Sequence, residues 1–194
     1  ASSSDIASAL FDDWESWEDD RFAQNMWVAT GERLTRESFG RYRQIGGSVI
    51  TFIRTEEMTR AALRHSLTMI AIDGRIREGK GHPRTSGSYS KVLGQYVREE
   101  GLIPLMDALR RMTIEPARRL ESFVPAMANK GRIRLGSDAD ITVFNADSVI
   151  DRATYTEPTL PSEGIEYVVV NGAVVLDGGV LDPTARPGVA IRSN

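Results

Sequence analysis

Two continuously apolar runs separated by one short helix constrain this chain more than any other feature. Ser48-Val49-Ile50-Thr51-Phe52-Ile53 is β-branched, apolar and preceded by Gly46-Gly47, which reads as a strand. Leu67-Thr68-Met69-Ile70-Ala71-Ile72 reads as a second. Between them Thr55 is placed to cap a helix over 56–64, with Glu56 and Glu57 in its first turn and Met58, Ala61, Ala62 and His65 at helical spacing. Strand, helix and strand with short connections predict a βαβ unit, its strands parallel and its crossover right-handed. Runs with no polar alternation suit strands covered on both faces.

Around this unit the pattern is mixed. The opening stretch 11–20 is acidic and aromatic, with Trp14 and Trp17 three apart, and reads as a surface-packed helix or loop whose acids face solvent. Thr35 starts a short helix over 35–42 that Gly46-Gly47 ends. Helices are expected over 89–100, 105–112 and 115–120, the first two separated by Gly101 and Pro104. Composition shifts near Lys130. Beyond it glycines punctuate short strands over 140–145, 165–170 and 174–176, and Asn171-Gly172 between two apolar runs signals a hairpin. Arg186-Pro187-Gly188 reads as a turn before a short last strand. An antiparallel sheet after an α/β piece is the expected architecture, with no internal repeat.

Composition removes several function classes. At 194 residues, 41% hydrophobic and 26% charged, with a net charge of −3, the chain has the make-up of a folded globular protein without a basic nucleic-acid-binding face. No apolar stretch is long enough to span a bilayer. Ala1-Ser2-Ser3-Ser4-Asp5 lacks the basic region and apolar core of a secretion signal, and there is no Cys, so a cytoplasmic chain is expected. Only His65 and His82 are available as imidazole ligands, so most ligands of any metal would lie elsewhere.

The apolar run 67–72 ends at Asp73-Gly74, and a basic loop follows from Arg75 to Arg84, carrying His82-Pro83-Arg84. In α/β enzymes the carboxyl ends of parallel strands and the loops after them build the active site. A carboxylate there is placed for general-base or metal-ligand work. It is equally the residue that caps a tight turn before Gly74.

The order Pro116-Ala117-Arg118-Arg119-Leu120, Lys130-Gly131-Arg132-Ile133, Gly136-Ser137-Asp138-Ala139-Asp140-Ile141-Thr142-Val143-Phe144 and Val170-Asn171-Gly172 resembles the C-terminal signature of the amidohydrolase superfamily. Within it, Ile70-Ala71-Ile72-Asp73-Gly74 with His82-Pro83-Arg84, Val92-Leu93-Gly94, Tyr96-Val97-Arg98-Glu99, Met112-Thr113 and Arg186-Pro187-Gly188 is similar to the D-aminoacylase branch, the N-acyl-D-amino-acid deacylases. The branch commonly has Ser just before the Asp; this chain has Ile72.

The resemblance implies an α/β fold: the C-terminal portion of a TIM-type (β/α)8 barrel, its last two strand–helix units, over 1–129, and strands of a small β-sandwich over 130–194. Residues 48–53 would be strand seven, with an unpaired apolar edge, and 67–72 strand eight. It implies a zinc-dependent enzyme hydrolysing the amide of an N-acyl-D-amino acid, with Asp73 as general base and possible metal ligand. Arg84 would grip the substrate α-carboxylate, and His82 would line the pocket or order the loop. The remaining zinc ligands, and the first part of the barrel, would lie outside these residues, leaving the isolated chain inactive and prone to self-association. Two rival readings stand beside it: a non-catalytic fragment or assembly half, and an amidohydrolase acting on a cyclic amide such as a hydantoin or dihydropyrimidine. No nucleic-acid or membrane partner is expected.

Overall fold

A computed structural model describes residues 1–192. They form two compact units, one from Ala1–Ala62, Ile72–Ser86 and Ala153–Leu160, the other from Leu63–Ala71, Gly87–Arg152 and the chain from Pro161 onward.

In the first unit, β1 (Ser2–Asp5), β2 (Asn25–Trp27) and β3 (Ser48–Thr51) make a sheet of order β1-β3-β2, antiparallel throughout. The apolar run at 48–53 is therefore the centre of a sheet and not the parallel edge its sequence suggested. Thr51 lies opposite both Ser2 and Asn25, and Val49 and Ile50 are fully buried. The neighbours are a polar segment, Ser2–Asp5, and a very short one, Asn25–Trp27, and neither carries a strand pattern of its own.

The opening stretch keeps its acids in solvent as read but buries its aromatic residues in the core. Tight turns at Ala9–Phe11 and Trp14–Ser16, then α1 (Asp19–Ala23), turn Phe11, Trp17 and Phe22 inward, where they pack on Phe39, while Asp12, Asp13, Glu15 and Glu18 stay in water. Ring centroids of Phe22 and Phe39 are 5.5 Å apart at 69°, an edge-to-face contact. Phe39 lies on α2 (Arg36–Ile45), which starts as expected: Thr35 and Ser38 cap each other's backbone N–H groups. From the last turn of α2, Arg43 donates to the carbonyls of Ile6 and Ser8, both at 2.9 Å, and pairs with Asp12 at 2.8 Å. One guanidinium thus ties the aromatic loop to the helix. After β3 come α3 (Glu56–Arg64), capped by Thr55, and a two-strand ribbon, β4 (Ile76–Arg77) with β5 (Lys80–Gly81).

In the second unit the run 67–72 makes no strand. Leu67 is 84% exposed and Met69 also faces water, while Ile70 is buried and donates its N–H to the Arg111 carbonyl at 3.1 Å. A strand is stabilised by its ladder, and no neighbour pairs with this run among the described residues; the expected parallel βαβ unit is absent with it.

The helical region starts with α4 (Arg84–Lys91), whose later residues belong to this unit, and continues without a break through Val92–Glu99 as a π-helical segment. Gly101 ends it in a left-handed conformation (φ 58°), its N–H bonded to the Val97 carbonyl. The close approach of this helix to the chain at 149–150 needs Gly94, where a Cβ would lie 2.5 Å from the Val149 carbonyl oxygen. Two further helices follow, α5 (Leu105–Met112), as read, and α6 (Ile114–Leu120).

The final sheet is antiparallel, in the order β6 (Ile141–Phe144), β7 (Ile165–Val170), β8 (Ala173–Asp177), β9 (Val180–Leu181). Its β7–β8 hairpin turns at Asn171 and Gly172, both with positive φ (48° and 83°), as the Asn-Gly pair implied. No strand follows Leu181 among the described residues, so the turn at Arg186-Pro187-Gly188 does not lead into one.

Two polar clusters hold this unit. Arg111, 4% exposed on α5, donates to the carbonyls of Leu63 (2.8 Å) and His65 (2.9 Å) and pairs with Asp107 at 2.5 Å. It thereby satisfies acceptors left at the end of α3. Lys130 pairs with Asp138 (2.9 Å) and Asp140 (2.5 Å), and Asp140 also accepts the Asn171 N–H at 2.7 Å. The bond from Lys130, then that from Asn171, holds the Asp140 carboxyl below its ordinary range, while Asp140 and then Asp138 raise the Lys130 ammonium.

Replacing Arg111 by Met leaves two carbonyls without their donor, while Asp107, partly exposed, keeps its pair with Arg110, so urea unfolding should report a loss of about 2 kcal/mol. A variant as stable as wild type would refute the account. The Lys130 cluster sets a pH window. A carboxylate with a depressed pKa stabilises above its unfolded value and loses that contribution as pH falls through its folded one. A raised Lys stabilises below its unfolded value and loses its share as pH rises through the folded one. The stability gap between wild type and Asp140→Asn, about 1 kcal/mol for a partly exposed pair, should therefore be flat from about pH 5 to 9 and close below about pH 4. A gap constant down to about pH 2 would contradict it.

Candidate active site

Asp73, His82 and Arg84 all fall in the first unit. Gly74 allows the approach that joins them: a Cβ there would stand 2.0 Å from Thr85 Oγ1, so the chain at 73–74 lies directly against the start of α4. Across this contact Arg84 Nε donates a short hydrogen bond to the Asp73 carbonyl, and Arg84 Nη2 lies 3.9 Å from Asp73 Oδ2. The Arg84 guanidinium also reaches β1, donating to Ser3 Oγ at 3.2 Å and the Ala1 carbonyl at 3.5 Å. Its side chain is mostly covered, whereas the Asp73 carboxylate is fully exposed. One member is fixed and the other faces solvent: a held cation beside a carboxylate with open oxygens.

His82 is buried, and its Nδ1 accepts the Arg84 backbone N–H at 3.1 Å. That bond assigns the neutral ring's proton to Nε2. The ring meets Tyr155 edge to face (5.3 Å, 70°), Tyr155 meets Phe52 (4.7 Å, 65°), and the Arg33 guanidinium covers Phe52 at 3.8 Å. Burial, then the nearby Glu56, pushes the Tyr155 phenol above its ordinary pKa. On the other side of Arg84, Ser86 Oγ donates to the Pro158 carbonyl at 2.7 Å. Sequence reasoning singled out Asp73, His82 and Arg84, and did not single out Tyr155 or Pro158, which the structure places beside His82 and Ser86. They are far along the chain and follow no periodicity, and Thr154-Tyr155-Thr156-Glu157-Pro158 reads only as a loop.

The chemistry available is proton transfer at Asp73 next to recognition of an anion at Arg84. A metal does not fit these residues alone. Among the described residues no three His, Cys, Asp or Glu side chains gather, and the two His have other duties: His65 Nδ1 accepts the Leu67 N–H at 3.3 Å, while His82 bonds Arg84.

Residues 41–176 match the amidohydrolase family. N-acyl-D-glutamate deacylase of Alcaligenes xylosoxydans xylosoxydans is 43% identical over 143 residues, covering 74% of this chain and 28% of that protein. D-aminoacylase of the same organism is 38% identical, covering 65% and 25%. Among solved structures, N-acyl-D-glutamate deacylase from Bordetella bronchiseptica, complexed with zinc and a phosphonate mimic of the tetrahedral intermediate, superposes with a TM-score of 0.78 at 31% identity, covering 99% of this chain and 40% of that one. A D-aminoacylase gives 0.70 at 27% identity, covering 94% and 39%. The chain thus spans about a quarter of the length of the curated relatives it matches. A match over most of its residues, with close structural likeness to deacylases, makes this chain a member of the amidohydrolase family.

Proposed function

We propose that this chain is the C-terminal part of an enzyme that hydrolyses the amide of N-acyl-D-amino acids, and that it supplies the proton-transfer carboxylate and the carboxylate-binding cation. The carrying observation is the pairing of Asp73 with Arg84 across Gly74. In hydrolysis a water oxygen adds to the amide carbon, the carbon–nitrogen bond breaks, and one proton must leave the water and reach the amine. Asp73 is the group for both transfers, because a carboxylate that accepts the first proton can deliver it to the leaving nitrogen. Arg84 holds the substrate's free α-carboxylate through its planar fork, which fixes orientation and hence handedness. His82 orders the loop behind it. An acyclic substrate with a free carboxylate gives Arg84 its role, which favours the deacylase reading over a cyclic amide.

The related Bordetella structure contains zinc, and we extend a metal requirement to the whole protein. Its ligands would come mostly from residues beyond this chain, with Asp73 as the candidate donor from it, and the ion would supply a bound water acidic enough for a carboxylate to take its proton. The division we favour is barrel over 1–129 and small β-sandwich over 130–194. The exposed apolar run 67–72 suits a barrel strand whose partners belong to the rest of the protein. Left alone, that surface favours self-association.

In the full-length protein Asp73→Asn should lower kcat by about 10²–10⁴ with KM little changed. Arg84→Lys should raise KM strongly, because an ammonium cannot reproduce the bidentate contact, with a smaller change in kcat. Steady-state kinetics of both variants on an N-acyl-D-amino acid separates the roles; turnover of Asp73→Asn within a few-fold of wild type would return Asp73 to a turn cap. The 194-residue chain by itself should show no deacylation and retain no zinc after dialysis. Activity of that chain, or one equivalent of retained zinc, would remove the fragment reading.

A further inference from the structure

We propose that the segment 153–160, and Tyr155 above all, is the positioning element that aims Arg84 at the substrate carboxylate. This rests on the deacylase reading for its consequence but not for its geometry. Arg84 is bracketed. Before it, His82 Nδ1 accepts the Arg84 backbone N–H, and the His82 ring lies against Tyr155. After it, Ser86 bonds the carbonyl of Pro158, itself almost completely buried. Both braces come from one short segment, so the residues on each side of Arg84 are held by the same part of the chain.

That segment is anchored in turn. The Tyr155 ring packs on Phe52, whose N–H donates to the Gln24 carbonyl at 2.8 Å beside the end of β3, and the Arg33 guanidinium lies over the Phe52 ring. A turn in which Thr154 Oγ1 accepts the Glu157 N–H at 2.9 Å holds the segment's own shape. The column Arg33, Phe52, Tyr155, His82 therefore runs from the central sheet to the loop that carries Arg84. Each link is a ring contact with a preferred geometry. An arginine with several rotatable bonds binds a carboxylate tightly only when its backbone and first torsions are fixed beforehand.

The test uses Tyr155→Leu, which keeps apolar bulk and removes the aromatic face, and Tyr155→Phe, which keeps the face and removes only the hydroxyl. In the full-length enzyme Tyr155→Leu should raise KM for an N-acyl-D-amino acid about 3–10-fold, the worth of an aromatic pair, with kcat within about twofold. The same variant should act on the matching substrate methylamide, which has no α-carboxylate, with wild-type kcat/KM. Tyr155→Phe should restore the wild-type constants, and Ser86→Ala should give a smaller KM rise of the same kind. Equal losses on both substrates, or a Phe variant as impaired as Leu, would overturn the proposal. A second arm needs no activity. Nitrogen-15 NMR of the 194-residue chain, which has only two His, should show His82 Nδ1 as an unprotonated acceptor in wild type and Tyr155→Phe. In Tyr155→Leu that signal should move toward the free-imidazole average while His65 stays fixed. An unmoved His82 signal in Tyr155→Leu refutes the positioning role even where wild type proves not to be a deacylase, whereas a moved signal with no wild-type deacylation refutes only the function.

Discussion

A single buried guanidinium, that of Arg111, is what the second unit depends on. A helix ends with carbonyls that have no partner within it, and burying them unsatisfied is costly. At the end of α3 two such carbonyls converge on Arg111, which is charge-balanced by Asp107 one turn earlier on its own helix. The Arg111 carbonyl then takes the Ile70 N–H. The same residue thus fixes the last turn of one helix, the chain leaving it as far as Ile70, and the helix it sits on. Strand pairing could do this for an apolar run; here a cation does it.

How much of this was legible follows from the range of each interaction. Thr35 with Ser38, Thr55, and Asn171 with Gly172 act within a few residues, and each element they start or turn is where the sequence implied. The amphipathic helix Leu105–Met112 was equally clear. The failures lie where the decisive partner is distant. Residues 48–53 are a strand, but their orientation in the sheet was set by Ser2–Asp5 and Asn25–Trp27, two segments too polar or too short to announce themselves. Residues 67–72 carry every local mark of a strand and make none, since β structure needs a neighbour. Phe11, Trp17 and Phe22 were hidden among acids whose charges describe the outer side of the same turns. In the site, the spacing from Asp73 to Arg84 across a glycine-rich ribbon was readable. The ring that braces His82 was not, because nothing around Tyr155 refers to the loop it supports.

The site has a mechanical character that a roll of its residues would miss. Asp73 is hydrogen-bonded to Arg84 through its backbone carbonyl, while its carboxylate lies at 3.9 Å from the guanidinium and stays exposed to solvent. Gly74 makes this possible by presenting no side chain to Thr85. Stiffness and availability are thus assigned to different atoms of one residue.

The π-helical run Val92–Glu99 carries a different kind of consequence. Wider turns place more residues in a given length of axis, so the phase of every side chain after the run differs from that of an α-helix of equal rise. Gly94 near its start packs against the Val149 carbonyl, and Gly101 just beyond its end closes the run by donating to the Val97 carbonyl. Winding the same eight residues as α-helix, with its 100° step per residue, would instead carry the residues after the run out of phase with the cluster that Tyr96, Leu102 and Ile103 share with Leu63 and Ile70. The wider winding is therefore a phase adjuster, and in this stretch the pitch of the backbone is as much a determinant of the core as the identity of its side chains.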